Sequence, residues 1–369
     1  MSEKISLRIP KTSSMPADEA NGQTRRGLAL LFPGQGSQRA KMGKHIAEIS
    51  PSARKIFAQA DEVLESPVSQ LCLEGSDQEL EDTMNAQPAI LTTSMAYLAY
   101  LRERLEEMGR RIRPTVIAGH SLGQYTAAVA AGAIDFSDGL RLVRERGRIM
   151  AEWARSRPGG LAAVLGMSDQ DVRKVCRDAS PEGAVGLAVL NGPGQTVISG
   201  ETSALERAMA LARERGGRVA RLPISVPSHT PLMRDAAREL SRFIQALPFR
   251  DPVTPLASNI SGKLLTTAEE VREELGDQIC AAVEWARCVV AMAGEGVGTF
   301  VELGPGQVLS RMVRRIRADD RVFSTDDPSP DVLLDLAAIV PTAGSADEDA
   351  SLPLLAGQSR SRPLRGDGA

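Results

Sequence analysis

Residues 115–132 read TVIAGHSLGQYTAAVAAG and carry the strongest structural signal in the chain. A short apolar run ends at Gly-His-Ser-Leu-Gly, and a segment of small residues with helical character follows. This is the G-x-S-x-G pattern of a nucleophile elbow, a sharp strand-to-helix turn that exposes a serine hydroxyl. Glycines that merely permit a tight turn would also fit, but the strand before and the helix after favour Ser121 as a nucleophile. The amide of Leu122 is then the natural donor to an oxyanion.

Further apolar runs alternate with helical patterns along the chain. GLALLF (27–32) and GTFVELG (298–304) end at glycine turns, as PTVIAG (114–119) does at the serine, and helical patterns cover 52–66 and 87–108. Strands that alternate with helices are typical of a parallel sheet covered by helices. The pattern therefore predicts the α/β fold class for the body of the chain.

Residues 159–222 show a different order of strand and helix patterns. Two helical patterns and four strand patterns give a β-α-β-β-α-β series, which is the ferredoxin-like order. We predict a small subdomain inserted into a larger one. The predicted organisation is an N-terminal disordered tail, a catalytic subdomain in two parts, the small subdomain and a C-terminal disordered tail, at residues 1–26, 27–155 with 227–340, 156–226 and 341–369.

Composition limits the class of protein. Of the 369 residues, 42% are hydrophobic and 25% charged, and the net charge of −3 gives no reason to expect a nucleic-acid partner. The four cysteines are scattered without a C-x-x-C pair, which argues against a zinc site and a disulfide framework. No stretch has membrane-spanning length, and residues 1–26 lack the apolar middle of a signal peptide. We expect a soluble cytoplasmic protein that binds no membrane.

A nucleophilic serine needs a base, and the chain has only three histidines. His120 is adjacent to Ser121 and is expected to support the turn, while His45 lies in a polar helix and is expected at the surface. His229 lies in LPISVPSHTPLM, where a strand pattern gives way to a helix with Thr230 as N-cap and Pro231 at its first position. His229 is the candidate base, since α/β enzymes build their sites at strand ends.

One arginine of the helix SDGLRLVRERGRIMAEW is predicted to point inward. Arg146 shares its helical face with apolar residues three or four positions away, namely Leu142, Val143, Ile149 and Met150. A buried guanidinium must find an anion. The partner is either an internal Asp or Glu or a carboxylate on the substrate, and spacing alone does not choose between them.

The loop FPGQGSQ after the first strand resembles a phosphate loop only superficially. Arg39 stands where the third glycine of the dinucleotide fingerprint belongs, and a Walker A motif fails at Gln38 and His45. Nucleotide binding is therefore disfavoured. The amide side chains of Gln35 and Gln38 remain candidates for the site.

Five motifs occur together, in the order FPGQGSQ, GHSLGQYTAAVAAGAIDFSDGLRLVRERG, NGPGQTVISG, SVPSH and VELGPGQVL. Over about residues 27–340 they resemble the malonyl-CoA:acyl carrier protein transacylases of fatty acid synthesis and the related acyltransferases of polyketide synthases. The resemblance implies an α/β-hydrolase-like parallel-sheet subdomain with an inserted ferredoxin-like subdomain, in agreement with the prediction above.

The family pattern also implies roles for individual residues. Ser121 matches the nucleophile, His229 the general base and Arg146 the residue that pairs with the malonyl carboxylate. The other matches are Gln35 beside the oxyanion hole, Leu122 as oxyanion donor, Asn191 in the pocket lining and Gln278, whose main chain would orient the histidine. Two departures stand out: Gln124 replaces the usual Glu after GHSLG, and ICAAVE precedes Trp285 instead of a segment with an aromatic residue and a proline.

The implied activity is ping-pong transfer of a malonyl group from coenzyme A to the phosphopantetheine thiol of an acyl carrier protein, by a monomer without a permanent cofactor or metal. Two alternatives remain: an acyl hydrolase on the same fold, and a non-catalytic module that docks carrier proteins. Malonyl against larger extender units, and fatty acid against polyketide supply, stay open. Because carrier proteins are typically acidic, attraction would need a local basic patch.

Overall fold

The computed structural model describes residues 27–326 and 331–342. Its strands are β1 (Gly27–Phe32), β2 (Val116–Gly119), β3 (Gly159–Leu165), β4 (Val185–Gly192), β5 (Gln195–Glu201), β6 (Arg218–Arg221), β7 (Leu256–Ala257), β8 (Leu264–Leu265), β9 (Val297–Glu302) and β10 (Arg321–Ser324). Its α-helices are α1 (Lys44–Ile49), α2 (Pro51–Leu64), α3 (Val68–Glu74), α4 (Asp77–Glu81), α5 (Thr83–Glu107), α6 (Leu122–Ala130), α7 (Phe136–Ser156), α8 (Asp169–Ala179), α9 (Thr202–Glu214), α10 (Arg234–Gln245), α11 (Ala268–Asp277), α12 (Trp285–Gly294), α13 (Val308–Ile316) and α14 (Asp331–Ile339).

The larger sheet has the strand order β10-β9-β1-β2-β7-β8. Its strands pair in parallel except for the β7–β8 pair, which is antiparallel. The central strands β1 and β2 are apolar and buried almost throughout, as expected for a sheet covered on both faces. On one face lies α5, which is buried on every side over residues 86–99. The predicted α/β class is confirmed.

The smaller sheet is antiparallel with the order β4-β5-β3-β6. This is the spatial order of a ferredoxin-like β-α-β-β-α-β unit. The two helices of the unit, α8 and α9, bury a shared apolar cluster against it that includes Val172, Val175, Leu205 and Met209. The predicted ferredoxin-like insertion is confirmed as part of the fold class, while the exact subdomain boundaries stay a prediction.

The strand predicted before His229 is shorter than expected. β6 ends at Arg221, and residues 222–228 are not in a strand. Pro223 and Pro227 lack the N–H that a sheet ladder needs, so they end the pairing. The helix that follows begins as a 3₁₀ turn, Pro231–Met233, and Thr230 makes no side-chain cap. The expectation that His229 stands at a strand end was therefore wrong.

Most of the two predicted disordered tails lies outside the described residues. The exception is the start of the C-terminal tail, where Thr342 pairs with Arg110 and the Pro341 carbonyl accepts from the Arg111 amide. Within residues 27–326 and 331–342, no helix is both long and apolar enough to cross a membrane.

Candidate active site

Ser121 stands at a strained corner between β2 and α6. Its φ of 53° and ψ of −111° are unusual for a residue with a side chain, and such strain clusters at functional sites. The glycines on either side are required by packing. A Cβ on Gly119 would lie 1.9 Å from the carbonyl carbon of Gly123, and one on Gly123 would lie 2.0 Å from the carbonyl oxygen of Phe32. The corner thus lies directly against the end of β1.

His229 faces the serine. Its Nε2 lies 2.8 Å from the Oγ of Ser121, and its Nδ1 lies 2.9 Å from the main-chain carbonyl oxygen of Gln278. The amide of His229 donates to the carbonyl of Ile279 at 2.8 Å. A carbonyl only accepts, so Nδ1 carries the proton and Nε2 is left as an acceptor for the serine hydroxyl.

The surroundings keep His229 neutral. Burial, and after it the positive charge of Arg146, lower the pKa of His229 to about 3. The histidine also has a φ of 63°, so both members of the Ser-His pair occupy backbone conformations that side chains rarely adopt. A neutral imidazole with its free nitrogen on the serine can act as a general base.

Arg146 is buried beside the serine, as predicted from its helical face, and is 1% exposed. Its Nη1 donates to Oε1 of Gln87 at 2.9 Å, its Nη2 lies 3.4 Å from Oγ of Ser121, and its guanidinium is 5.1 Å from the ring centre of Tyr125. Burial lowers the pKa of Arg146. Among the described residues no carboxylate pairs with this guanidinium, and its polar contacts there are with Gln87 and Ser121.

Two backbone amides near the corner are candidates for oxyanion donors. Leu122 begins α6, and within the described residues neither its amide nor that of Gln35 makes a hydrogen bond. The loop that carries Gln35 lies against the elbow, because a Cβ on Gly34 would be 2.3 Å from the carbonyl oxygen of His120. The side chain of Gln35 donates to Oγ1 of Thr83 at 3.1 Å.

Gln38, by contrast, binds its own loop and α4. Its Oε1 accepts from the Gly36 amide at 2.7 Å, and its Nε2 donates to the Leu80 carbonyl at 3.2 Å. Of the two amide side chains considered for the site, Gln38 therefore fastens the loop to α4.

The other two histidines have separate environments. His120 points away from the Ser-His pair: its Nε2 lies 2.9 Å from Oδ1 of Asn191, and its ring packs edge-on against Trp285. Asn191 belongs to β4, so this contact joins the small sheet to the elbow. His45 is exposed on α1.

Gln87 and Asn259 touch the predicted residues but were not identified from the sequence, and Gln124 was noted only as a departure from the family pattern. Gln87 accepts from Arg146, and Asn259 contacts both Ser121 and Gln278. Gln124 caps the elbow from within α6 by accepting from the Gly119 amide at 2.9 Å and donating to the Ala257 carbonyl at 2.9 Å. The available signals were an amide side chain directly before the apolar run PAIL, and a polar pair, Ser-Asn, directly after the short apolar run PLA.

Comparison with known proteins adds the family. The acyl transferase domain family matches residues 29–327. Malonyl CoA-acyl carrier protein transacylase from Bacillus subtilis is 42% identical over 303 residues, which cover 82% of this chain and 94% of that protein.

Solved structures agree with the sequence relatives. The crystal structure of malonyl-CoA:acyl carrier protein transacylase from Xanthomonas oryzae matches with a TM-score of 0.79 at 38% identity, covering 86% of this chain and 99% of that one. A type II PKS acyl-carrier protein in complex with its malonyl-transacylase matches with a TM-score of 0.78 at 34% identity, over 85% of this chain and 99% of that one. The chain therefore belongs to the malonyl CoA-acyl carrier protein transacylase family of acyl transferases.

Proposed function

We propose that the chain transfers a malonyl group from coenzyme A to the phosphopantetheine thiol of an acyl carrier protein, through an ester on Ser121. The observation that carries this proposal is the buried guanidinium of Arg146, 3.4 Å from the nucleophile and without a carboxylate partner among the described residues. A buried cation without an anion is costly, and a malonyl carboxylate would supply the anion. An uncharged acyl group would not.

The first half-reaction loads the serine. Nε2 of His229 takes the hydroxyl proton of Ser121 as Oγ attacks the thioester carbonyl carbon. The tetrahedral intermediate collapses by breaking the bond between carbon and sulfur. His229 returns its proton to the departing sulfur, so that coenzyme A leaves as a neutral thiol and malonyl remains as an ester on Oγ.

The second half-reaction runs the same steps in reverse. Nε2 of His229 takes the proton of the phosphopantetheine thiol, and the sulfur attacks the ester carbonyl. The bond between the carbon and Oγ breaks, and the proton returns to Ser121. The malonyl group ends on the carrier as a thioester, and no net proton is gained or lost.

The negative charge that develops on the carbonyl oxygen needs fixed donors. We assign this role to the amides of Leu122 and Gln35, since preorganised backbone donors are worth about 10²–10³-fold in rate each. Asn191 is assigned to the pocket lining, and the carbonyl of Gln278 to orienting the base. The chemistry assigned to these side chains requires no permanent cofactor, and malonyl-CoA enters as a substrate.

A basic groove beside the site fits an acidic carrier protein. Arg234, Arg238 and Arg242 recur every fourth residue on α10 and line a groove of about 640 Å³ together with Cys280 and Asp277. Arg238 pairs with Asp235, whereas within the described residues no ion pair engages Arg234 or Arg242. We assign this groove as the docking surface for the carrier, because its three arginines present positive charge to an acidic partner.

The organisation of the chain follows from the same proposal. We assign catalysis to residues 27–155 and 227–340, and the part of the pocket wall that carries Asn191 to the inserted unit, 156–226. All assigned groups come from one chain, which supports activity as a monomer.

The test is mass spectrometry of the intact protein after incubation with malonyl-CoA, methylmalonyl-CoA and acetyl-CoA, followed by addition of a phosphopantetheinylated carrier. We expect malonyl on Ser121 and then on the carrier thiol. Radiolabelled malonate that appears in water at the rate of loading would instead identify a hydrolase. A protein that never acylates would identify a non-catalytic docking module.

A further inference from the structure

Asn259 follows β7 and is completely buried, yet the reaction described above gives it no role. Its Oδ1 accepts from the amide of Ser121 at 2.9 Å and from Nε2 of Gln278 at 3.0 Å. Its Nδ2 donates to the carbonyl of Gly119 at 2.7 Å. Donors surround the oxygen and an acceptor faces the nitrogen, so the orientation of the amide is fixed by its partners.

These contacts bear on the strained backbone of the nucleophile. Asn259 holds the backbone on both sides of His120, by accepting from the Ser121 amide and donating to the Gly119 carbonyl. A backbone with φ of 53° and ψ of −111° persists only where the surroundings over-determine it. The side-chain amide of Asn259 supplies part of that constraint.

The same side chain reaches the base through one intermediate residue. Nε2 of Gln278 donates both to Oδ1 of Asn259 and to the carbonyl of Ser121, while the carbonyl of Gln278 accepts from Nδ1 of His229. Gln278 thus touches the nucleophile's backbone with its side chain and the base with its main chain. Asn259 lies where these two sets of contacts meet.

Asn259 is itself anchored from behind. The backbone N–H of Asn259 donates to Oε1 of Glu274 at 2.6 Å, and the hydroxyl of Ser258 donates to Oε2 of the same carboxylate at 2.6 Å. Glu274 is buried on α11. The turn that carries Asn259 is therefore fixed to a helix rather than to solvent.

We propose that Asn259 is a positioning residue that sets the distance and angle between Ser121 and His229 by holding the serine backbone and Gln278 together. The inference rests on the proposed Ser-His acyl transfer. Because displacement of reacting groups by about 1 Å costs roughly 10²-fold, we expect Asn259→Ala to lower kcat for malonyl loading by about 10²-fold. KM for malonyl-CoA should change less than about twofold, since Asn259 does not face the guanidinium of Arg146.

A matched control separates positioning from simple loss of stability. Ser310 is also buried and hydrogen-bonded, through its hydroxyl to the Phe323 carbonyl, but it lies on α13. Ser310→Ala should lower Tm by a few degrees and leave kcat unchanged. An Asn259→Ala protein with a lower Tm and the wild-type kcat would overturn the proposal.

A double-mutant cycle tests the link to the base. Gln278→Glu keeps the carbonyl that faces His229 but loses the donor to Asn259. If Asn259 acts through Gln278, the double variant should be about as slow as the slower single variant, whereas effects that multiply would overturn the link.

Should Asn259→Ala not fold, Asn259→Asp replaces it, because aspartate keeps the size and the acceptor oxygen but loses the donor to Gly119. We expect Asn259→Asp to lower kcat about tenfold, and a wild-type kcat would overturn the proposal. Loading of the wild-type protein, measured in parallel, reports separately on the proposed function.

Discussion

The elbow, residues 116–130, and the segment at 256–281 serve the same few atoms but are built differently. The elbow is a regular strand and helix joined by the motif GHSLG, with both flanking glycines required by backbone contacts. The second segment, called here the support segment, contains two strands of two residues, α11 and a 3₁₀ turn, Gln278–Cys280. It nevertheless supplies Asn259 and the carbonyl that orients His229. The reacting hydroxyl stands on a tight turn fixed between two regular elements, whereas its alignment comes largely from irregular structure.

The sharpest test of the elbow is removal of its hydroxyl. We expect Ser121→Ala to lower malonyl transfer by at least about 10³-fold, because the covalent step is lost and only binding remains. Intact-protein mass spectrometry after incubation with malonyl-CoA should show no adduct. A stable malonyl-enzyme in this variant would place the nucleophile elsewhere.

The second test concerns the cation beside the elbow. Arg146→Ala should lower kcat/KM for malonyl loading by about 10²-fold, the cost of losing hydrogen bonds to a charged group. Acetyl loading should fall much less, since acetyl has no carboxylate for the guanidinium to hold. Equal losses for both acyl groups would show that Arg146 serves the structure through Gln87 and Tyr125.

The two regions also differ in how far the sequence predicts them. The elbow was predictable because its signals are local: an apolar run, two glycines that packing requires and a helix of small residues. The inward direction of Arg146 was predictable from helical spacing, although its neighbour Gln87 is 59 residues away and was not. Long-range contacts of this kind leave no spacing in the sequence.

The support segment was harder for a physical reason. Two-residue strands such as β7 and β8 are too short to show alternation of apolar and polar residues, so β7 and the role of Asn259 were not predicted. His229 was selected because the chain has few histidines, while the strand expected before it is absent in residues 222–228. The role of Gln278 was predicted only from the family resemblance. A main-chain carbonyl can orient a histidine whatever side chain the residue carries, so the residue type gives no signal.

The outer side of the support segment offers a third test. Ile260, Asp277 and Cys280 line the groove opposite the arginines of α10. We expect Arg234→Glu with Arg242→Glu to raise KM for the carrier protein about tenfold and to leave malonyl loading unchanged, because the substitutions reverse charge on the docking surface only.

A control with the same change in charge is available on the small subdomain. Arg207 and Arg213 are exposed on α9, and their replacement by Glu should leave KM for the carrier unchanged. The loss in the α10 variant should shrink as salt is added, since exposed charges are screened beyond about 10 Å at 0.1 M ionic strength. Equal effects of the two double variants would reject the groove as the docking surface.

The smallest expected effect is that of pH on malonyl loading, which depends on His229, the residue that contacts both the elbow and the support segment. The support segment holds Nδ1 of His229, while burial and Arg146 lower the pKa of the imidazole to about 3. A base whose pKa is lowered stays active as pH falls, so kcat/KM for malonyl loading should change less than about twofold between pH 5 and 7. Loss of activity with an apparent pKa near 6.5 would show that the imidazole is exposed to water.

Arg146→Ala tests the contribution of the neighbouring charge to this pKa. The substitution removes the positive charge but not the burial, so the loss of acetyl loading at acidic pH should begin at a higher pH in that variant, yet with an apparent pKa below 6.5. An acid limb that the substitution does not move would mean that the charge of Arg146 does not contribute to the lowered pKa of His229, and that burial sets this pKa.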